Sequence, residues 1–145
     1  MTYRINDLLV LKPSTIPKAG WGVFATSFIS KGTYLGYYQG KKIKSEKTFV
    51  KNVKSGRSDP SYAFDVHSGT SHFVLDATDP QSSNWTRYMN CSRSDQEENV
   101  LYADRDGMIK FYTTRAINPG TELMFYYGEM YAEKLGIRYR SKYYE

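Results

Sequence analysis

Turn-forming residues interrupt this chain at many points, and that punctuation limits what it can fold into. Glycine, proline or Ser/Asp clusters stand at Pro13, Pro17–Gly22, Lys31–Gly32, Gly36, Gly40, Ser55–Ser61, Ser68–Ser71, Asp79–Ser83, Asp104–Gly107, Pro119–Gly120 and Gly128. Between them lie brief pieces rich in β-branched and aromatic residues: "LLVL", "GVFAT", "YLGYYQG", "SYAFDV", "HFVLDAT", "NVLYAD", "IKFYTTRAI" and "ELMFYYG". Runs of that composition bounded by turn residues read as strands, so the sequence predicts a mostly β domain with short helices. One helix is expected near Ser45 to Lys54, with Ser45 as its cap and Phe49, Val50 and Val53 on one face. A turn or helix is expected over Trp85 to Asn90, and a last helix over Glu129 to Leu135, closed by Gly136.

Length and composition narrow the class. The chain has 145 residues and is 40% hydrophobic, which fits a single globular domain over residues 1–145 with a real core. Its one cysteine permits neither an internal disulfide nor a cysteine-built zinc site and fits a reducing compartment. No apolar stretch approaches the ~20 residues of a membrane span. The N-terminal segment lacks a cleavage pattern, and its run Leu8 to Leu11 reads as a strand. Net charge is +5, and the excess is concentrated: Lys41 to Arg57 carries seven basic residues and one acidic one. That run reads either as a solvated helix face or as a contact to nucleic acid. Tyrosine is abundant at 14 copies. It pairs an apolar body with a polar tip and suits narrow pockets and tight interfaces.

Familiar catalytic constellations are missing. His67 and His72 sit in a turn-rich hairpin without further ligands at fixed spacing, so no metal site is expected. "AGWG" lacks the spacing and the Lys-Ser/Thr ending of a phosphate loop. Cys91, in "NWTRYMNCSRS", stands among polar residues and reads as a nucleophile, a metal ligand or a small buried hydrophobe.

The order of the segments says more. "AGWGVFATSFISKGTYLGYYQG", "SYAFDV", "LDAT", "NWTRYMNCSR", "ENVLY" and "FYTTRAINPGTELMFYYGEMY" follow one another as in SET-domain protein-lysine methyltransferases. The resemblance runs from about Lys18 to Tyr131, leaving a tail over 132–145. "NC" in place of asparagine–histidine, the "GYYQG" turn and the tail "YGEMYAEKLGIRY" resemble the PR/SET branch. This resemblance implies small curved sheets with a C-terminal pseudoknot. It also implies S-adenosylmethionine as methyl donor, a histone H3 tail or nucleosome as partner, and a nuclear location. The chemistry suits such a composition. A lysine amine titrates near ~10.4 and must lose its proton before attack. A dry aromatic channel beside a sulfonium disfavours the ammonium, so tyrosines and phenylalanines can serve where other enzymes need a base. In-line alignment is then the remaining requirement.

The same resemblance assigns residues. Ala19, Gly20, Trp21 and Gly22 would approach the cofactor, with Tyr62, Arg87, Asn90, Cys91 and Tyr127 completing its pocket. Arg87 also reads as a tie between its segment and the body of the domain. Cys91 would act through its backbone and small size. Tyr127 would be the catalytic tyrosine, and Tyr38, Phe125, Phe111 and Tyr112 would line the lysine channel. Phe111 and Tyr112 read equally well as core. The strand from Asp59 to Asp65, with Ser61, Tyr62, Ala63 and Phe64, would receive the substrate peptide as an added strand. Asp59, Asp65, Glu129 and Glu133 could offset a basic tail, while Lys41–Arg57 could face nucleosomal DNA. The chain departs from the family's pattern in lacking a cysteine cluster after the core, in Tyr126 where aspartate is usual, and in Thr121 of "PGTEL". A non-catalytic module binding a peptide or partner protein is the alternative reading.

Overall fold

The structure, a computed structural model, describes residues 1–128. The expected helix over Glu129 to Leu135, the tail 132–145, Glu129 and Glu133 lie outside the described residues. Eleven strands and one α-helix make up the described fold, as the turn pattern leads one to expect. The strands are β1 (Tyr3–Arg4), β2 (Leu9–Pro13), β3 (Trp21–Ala25), β4 (Tyr34–Tyr37), β5 (Lys41–Ile43), β6 (Ala63–Ser68), β7 (Ser71–Asp76), β8 (Asn90–Cys91), β9 (Val100–Arg105), β10 (Met108–Thr113) and β11 (Glu122–Phe125), with α1 at Glu46–Lys54. They form a five-stranded sheet β1-β2-β3-β11-β8 and two three-stranded sheets, β4-β10-β9 and β5-β7-β6. The chain divides into two compact units, each assembled from separated stretches.

The first unit comprises Met1–Leu35, Tyr88–Leu101 and the chain from Tyr112. Its sheet is antiparallel from β1 through β11, with Leu9 opposite Ala25 and Leu123 opposite Val23. The last pairing is parallel: Met124 lies beside Asn90 and Phe125 beside Cys91. All four residues of β11 are buried. A strand covered on both faces needs a continuous apolar run, and "LMF" supplies it after Glu122. Leu9, Val23, Phe24, Met89, Val100, Ile117 and Leu123 fill the core around it. Of the expected C-terminal pseudoknot, the part up to Gly128 is described: β11 lies between β3 and β8, and Ser92 N–H donates to Phe125 O at 3.0 Å. Asn99, itself buried, reinforces this crossing. Its side-chain amide donates to Glu122 O and accepts from Met124 N–H, both at 2.9 Å, pairing with β11 as a strand backbone would.

The second unit comprises Gly36–Arg87 and Tyr102–Phe111. Its hairpin β6–β7 closes through Gly69 and Thr70, with Ser68 opposite Ser71. Gly69 has φ 59° and Thr70 is not left-handed. That is the type II′ arrangement, whose twist matches the flanking strands. Helix α1 starts where expected: Ser45 caps it by accepting from Thr48 N–H at 3.3 Å. Two sequence expectations need correction here. Val50 is 45% exposed and does not share the inward face of Phe49 and Val53. The basic run Lys41–Arg57 is not one helix face, because Lys41–Ile43 pair with β7 as a strand.

The strand expected from Asp59 to Asp65 is also corrected. Pro60–Tyr62 form a 3₁₀ turn capped by the Asp59 carboxylate, and β6 begins only at Ala63. Proline at the first position of such a turn loses nothing by lacking an N–H. Among the described residues β6 has a neighbour on one side only. In an antiparallel hairpin alternate residues bond inward, so Ala63, Asp65 and His67 turn their main-chain groups to the other edge. There the His67 N–H donates to the Asp104 carboxylate at 2.9 Å.

Candidate functional site

In the first unit the parallel pairing of β8 with β11 gathers side chains far apart in sequence. Asn90 and Cys91 come beside Met124 and Phe125. The Phe125 and Tyr127 rings lie 4.8 Å apart, centroid to centroid. Tyr127 donates its hydroxyl hydrogen to the carbonyl of the buried Met89. A hydroxyl bonded in this way presents its oxygen as an acceptor to whatever else approaches. The Gly20–Gly22 turn leads into β3, and the Trp21 carbonyl accepts from Asn90 Nδ2 at 2.9 Å. Gly20 has φ 75°, and a Cβ placed there would meet nothing within 4 Å, so its backbone is open to close approach.

Cys91 is held as a neutral thiol. It is 3% exposed, its sulfur accepts from Tyr127 N–H at 3.4 Å, and it donates to Ser92 O at 3.4 Å. Burial pushes its pKa up to about 11, opposed by the Tyr127 N–H and aided by Glu98 and Glu97. Near neutral pH it carries no thiolate, which is the nucleophilic form. Because the folded chain keeps its proton to higher pH than the unfolded chain, ionisation costs stability as pH rises past the ordinary thiol range. Serine can make the same two hydrogen bonds. We expect Cys91→Ser to keep measurable transfer in a labelled-methyl assay, the activity that the PR/SET resemblance implies. We also expect wild type to lose stability relative to Cys91→Ser on denaturant titration at rising alkaline pH. Abolished transfer in a folded Cys91→Ser protein would restore a thiol role.

The loop after Cys91 is clamped on itself. Arg93 binds Glu97 through Nε at 3.0 Å and Nη2 at 2.5 Å. These bonds hold the Glu97 carboxyl below its usual range and raise the Arg93 guanidinium.

In the second unit Tyr38 is buried at 5% exposure. Its ring meets Phe64 edge-on at 4.6 Å and lies 6.3 Å from Phe111. Phe64 also contacts Tyr102 at 5.0 Å, so these rings form one aromatic cluster. The Tyr62 ring carries the Arg87 guanidinium 4.2 Å from its centroid. Arg87 Nε donates to Ala77 O at 2.9 Å and Nη2 to Thr78 O at 3.2 Å, tying the Trp85–Tyr88 turn to the end of β7. Phe111 and Tyr112 do not form one wall. They are consecutive on β10, where burial alternates, so they point to opposite faces. Phe111 joins the Tyr38 cluster, while Tyr112 packs beside Tyr34 at 5.5 Å in the first unit.

The two histidines pair with each other and with an aspartate. Their rings stack at 4.6 Å, and His72 Nε2 lies 3.1 Å from Asp65 Oδ1. Among the described residues no group of three or more His, Cys, Asp or Glu side chains gathers to hold a metal ion, and no helix is long and apolar enough to cross a membrane.

Sequence reasoning missed Glu122. Its buried carboxylate accepts from Ser14 Oγ at 2.8 Å, Thr15 N–H at 2.8 Å, Thr15 Oγ1 at 2.6 Å and Asn90 Nδ2 at 3.0 Å. A carboxylate buried on neutral donors across such sequence distances leaves no local signal.

Comparison with known proteins follows the same lines. The family model of PR domain zinc finger protein 2, PR domain, matches residues 9–138. Histone-lysine N-methyltransferase set-17 of Caenorhabditis elegans is 32% identical over 127 residues, 88% of this chain and 43% of that protein. Histone-lysine N-methyltransferase PRDM7 of Homo sapiens is 35% identical over 132 residues, 90% of this chain and 25% of that protein. This chain thus spans less than half the length of either curated relative. Among solved structures, the methyltransferase domain of human PR domain-containing protein 2 superposes with a TM-score of 0.69 at 32% identity, covering 86% of this chain and 80% of that one.

Proposed function

The chain belongs to the PR/SET domain family, and from that premise we propose that it transfers methyl groups from S-adenosylmethionine to a protein lysine, on a histone H3 tail. The observation that carries this reading is the parallel β8–β11 pairing, which unites Asn90, Cys91, Phe125 and Tyr127 in one unit. The residues present fit the cofactor. The open Gly20 backbone admits close approach, and Asn90, fixed by Trp21 O, offers a polar contact. When bound, the cofactor supplies an electrophilic methyl on a sulfonium. Tyr127 then orients the lysine amine through its hydroxyl oxygen, and Phe125 bounds the amine with an apolar face. Tyr62 and Arg87 form a stacked pair within the second unit. The substrate peptide pairs along the β6 edge, from Ala63 through Asp65, with Asp59 and Asp65 offsetting its basic side chains. Lys44, Lys47, Lys51 and Lys54, on and beside α1, give nucleosomal DNA an electrostatic contact, and the proposal includes a nuclear location.

Incubation with labelled S-adenosylmethionine and core histones or nucleosomes, followed by mass spectrometry, tests this. Methyl-lysine on H3 is the expected product. No transfer from a folded protein that still binds histone peptide would favour a non-catalytic module instead.

Product multiplicity follows from Phe125, which is buried at 3% exposure and has no hydroxyl to hold an ordered water. Wild type is expected to pass beyond the first methyl, and Phe125→Tyr to accumulate monomethyl-lysine with the first transfer slowed less than about tenfold. Peptide mass spectra at long reaction times give the answer. If both proteins stop at one methyl, Phe125 does not set the limit.

A further inference from the structure

Lys42 and Lys44 line a cleft of about 470 Å³ in the second unit, together with the start of β7 and the β9–β10 turn. Buried Phe73 forms part of the lining, and Lys42 Nζ sits 4.2 Å from that ring's centroid. A cation held over an aromatic face has less freedom to lose when it meets a ligand. Ser71 adds a hydroxyl that can donate. The turn residues Asp106 and Gly107 are both left-handed, at φ 56° and 72°, the type I′ arrangement of a two-residue hairpin. Among the described residues Asp106 is the one carboxylate in the lining, so the balance of charge there is positive. The charge continues beyond the cleft. Lys44 stands directly before Ser45, the cap of α1, and Lys47, Lys51 and Lys54 follow at helical spacing. These three fall on the face opposite Phe49 and Val53, and all are exposed. Among the described residues none of these five lysines joins a salt bridge, whereas Lys41 lies 3.9 Å from Asp79.

We propose that this cleft seats a backbone phosphate of duplex DNA on Lys42 and Lys44, and that the α1 lysines take the neighbouring phosphates along the helix. This extends the DNA contact proposed above and rests on it. A single phosphate on a peptide would use the cleft and leave three lysines idle. DNA presents about one charge per 1.7 Å of its axis, so a row of cations spread along about 10 Å of helix finds a partner for each. Single-stranded nucleic acid is held by bases stacked on exposed aromatic rings. The cleft offers no such platform: Phe73 is buried beneath Lys42, and His72 is stacked on His67. Contacts to phosphate alone carry no base sequence, so binding is sequence-independent.

Fluorescence anisotropy with a labelled duplex of mixed sequence, repeated over a range of salt concentrations, tests this. Five lysine–phosphate contacts give wild type a slope of log affinity against log salt of about −4.5. The double variant Lys42→Gln, Lys44→Gln should flatten that slope by about 1.8 and weaken binding about tenfold or more at low salt. Asp106→Asn should bind about threefold tighter or more, because it removes the repelling charge. Asparagine tolerates the left-handed backbone, so the turn survives. Lys12→Gln with Lys31→Gln, in the first unit, removes as much charge as the cleft pair and should leave the slope unchanged. Thermal melts establish that all three variants are folded. A slope unchanged by the Lys42, Lys44 pair, or flattened equally by the control pair, overturns the inference. So does an Asp106→Asn protein that binds no tighter than wild type, or a single-stranded RNA or phosphoserine peptide bound more tightly than the duplex at the same salt. A wild type that binds no duplex removes the DNA contact itself, and this inference with it. Methyl transfer to a histone peptide, assayed beside it, decides the enzymatic reading separately.

Discussion

Tyr127→Phe should lower the rate of methyl transfer by roughly 10²–10³-fold, the range for removing one well-placed polar group from a reacting centre. Stability should fall by only about 1 kcal/mol, the value of one hydrogen bond. The two numbers separate because the hydroxyl and the ring do different things. The hydroxyl donates to Met89 O, and its oxygen can still accept. The ring packs against Phe125 at 4.8 Å, and phenylalanine keeps that contact. Initial rates with labelled cofactor, beside a thermal melt of the same preparation, read both. A rate within a few-fold of wild type would mean that another residue orients the amine.

Phe111→Ala should cost about 3–5 kcal/mol of folding stability, the usual loss for a buried phenylalanine. Phe111 is 0% exposed and sits among Tyr38 and Phe64, so truncation leaves a cavity beneath the cluster. Phe111→Leu, which fills part of that space, should cost markedly less. Denaturant unfolding of both variants gives the values. A loss under about 1.5 kcal/mol for alanine would show that the ring borders open space and lines a channel rather than a core.

Much of this fold could be read from local chemistry. Turn residues bracket β2, β3, β7 and β10, and Ser45 announces α1 through its cap. The signal fails where tertiary pairing decides. "KKI" has no strand pattern of its own, and β5 exists because Lys41–Ile43 pair with Val74–Asp76. β8 has two residues and a parallel partner distant in sequence. The turn at Pro60–Tyr62 was legible, since an aspartate followed by proline is a start signal, but the aromatic run after it outweighed that signal. In the candidate site, side chains carried by a motif were readable from order alone. Glu122 and Asn99 were not: the partners of the first lie 32, 107 and 108 positions away, and the second acts as a surrogate strand. Burial gave no hint in a sequence where "ENV" and "TEL" look like ordinary loop ends.

The carboxylate of Asp104 on the His67 amide acts as a stop on a zipper. An exposed strand edge invites any extended chain, including a second copy of itself, to join it indefinitely. Along β6 the Ala63 N–H is spent on Pro60 O and the His67 N–H on Asp104, which leaves Asp65 between them. Edge-to-edge association of two copies would bring these aspartates face to face and so repel. A visiting peptide gains too few main-chain bonds here to be held by backbone alone, so its residence depends on what its side chains find. An edge closed at both ends in this way rewards the right sequence and gives little to a merely extended one.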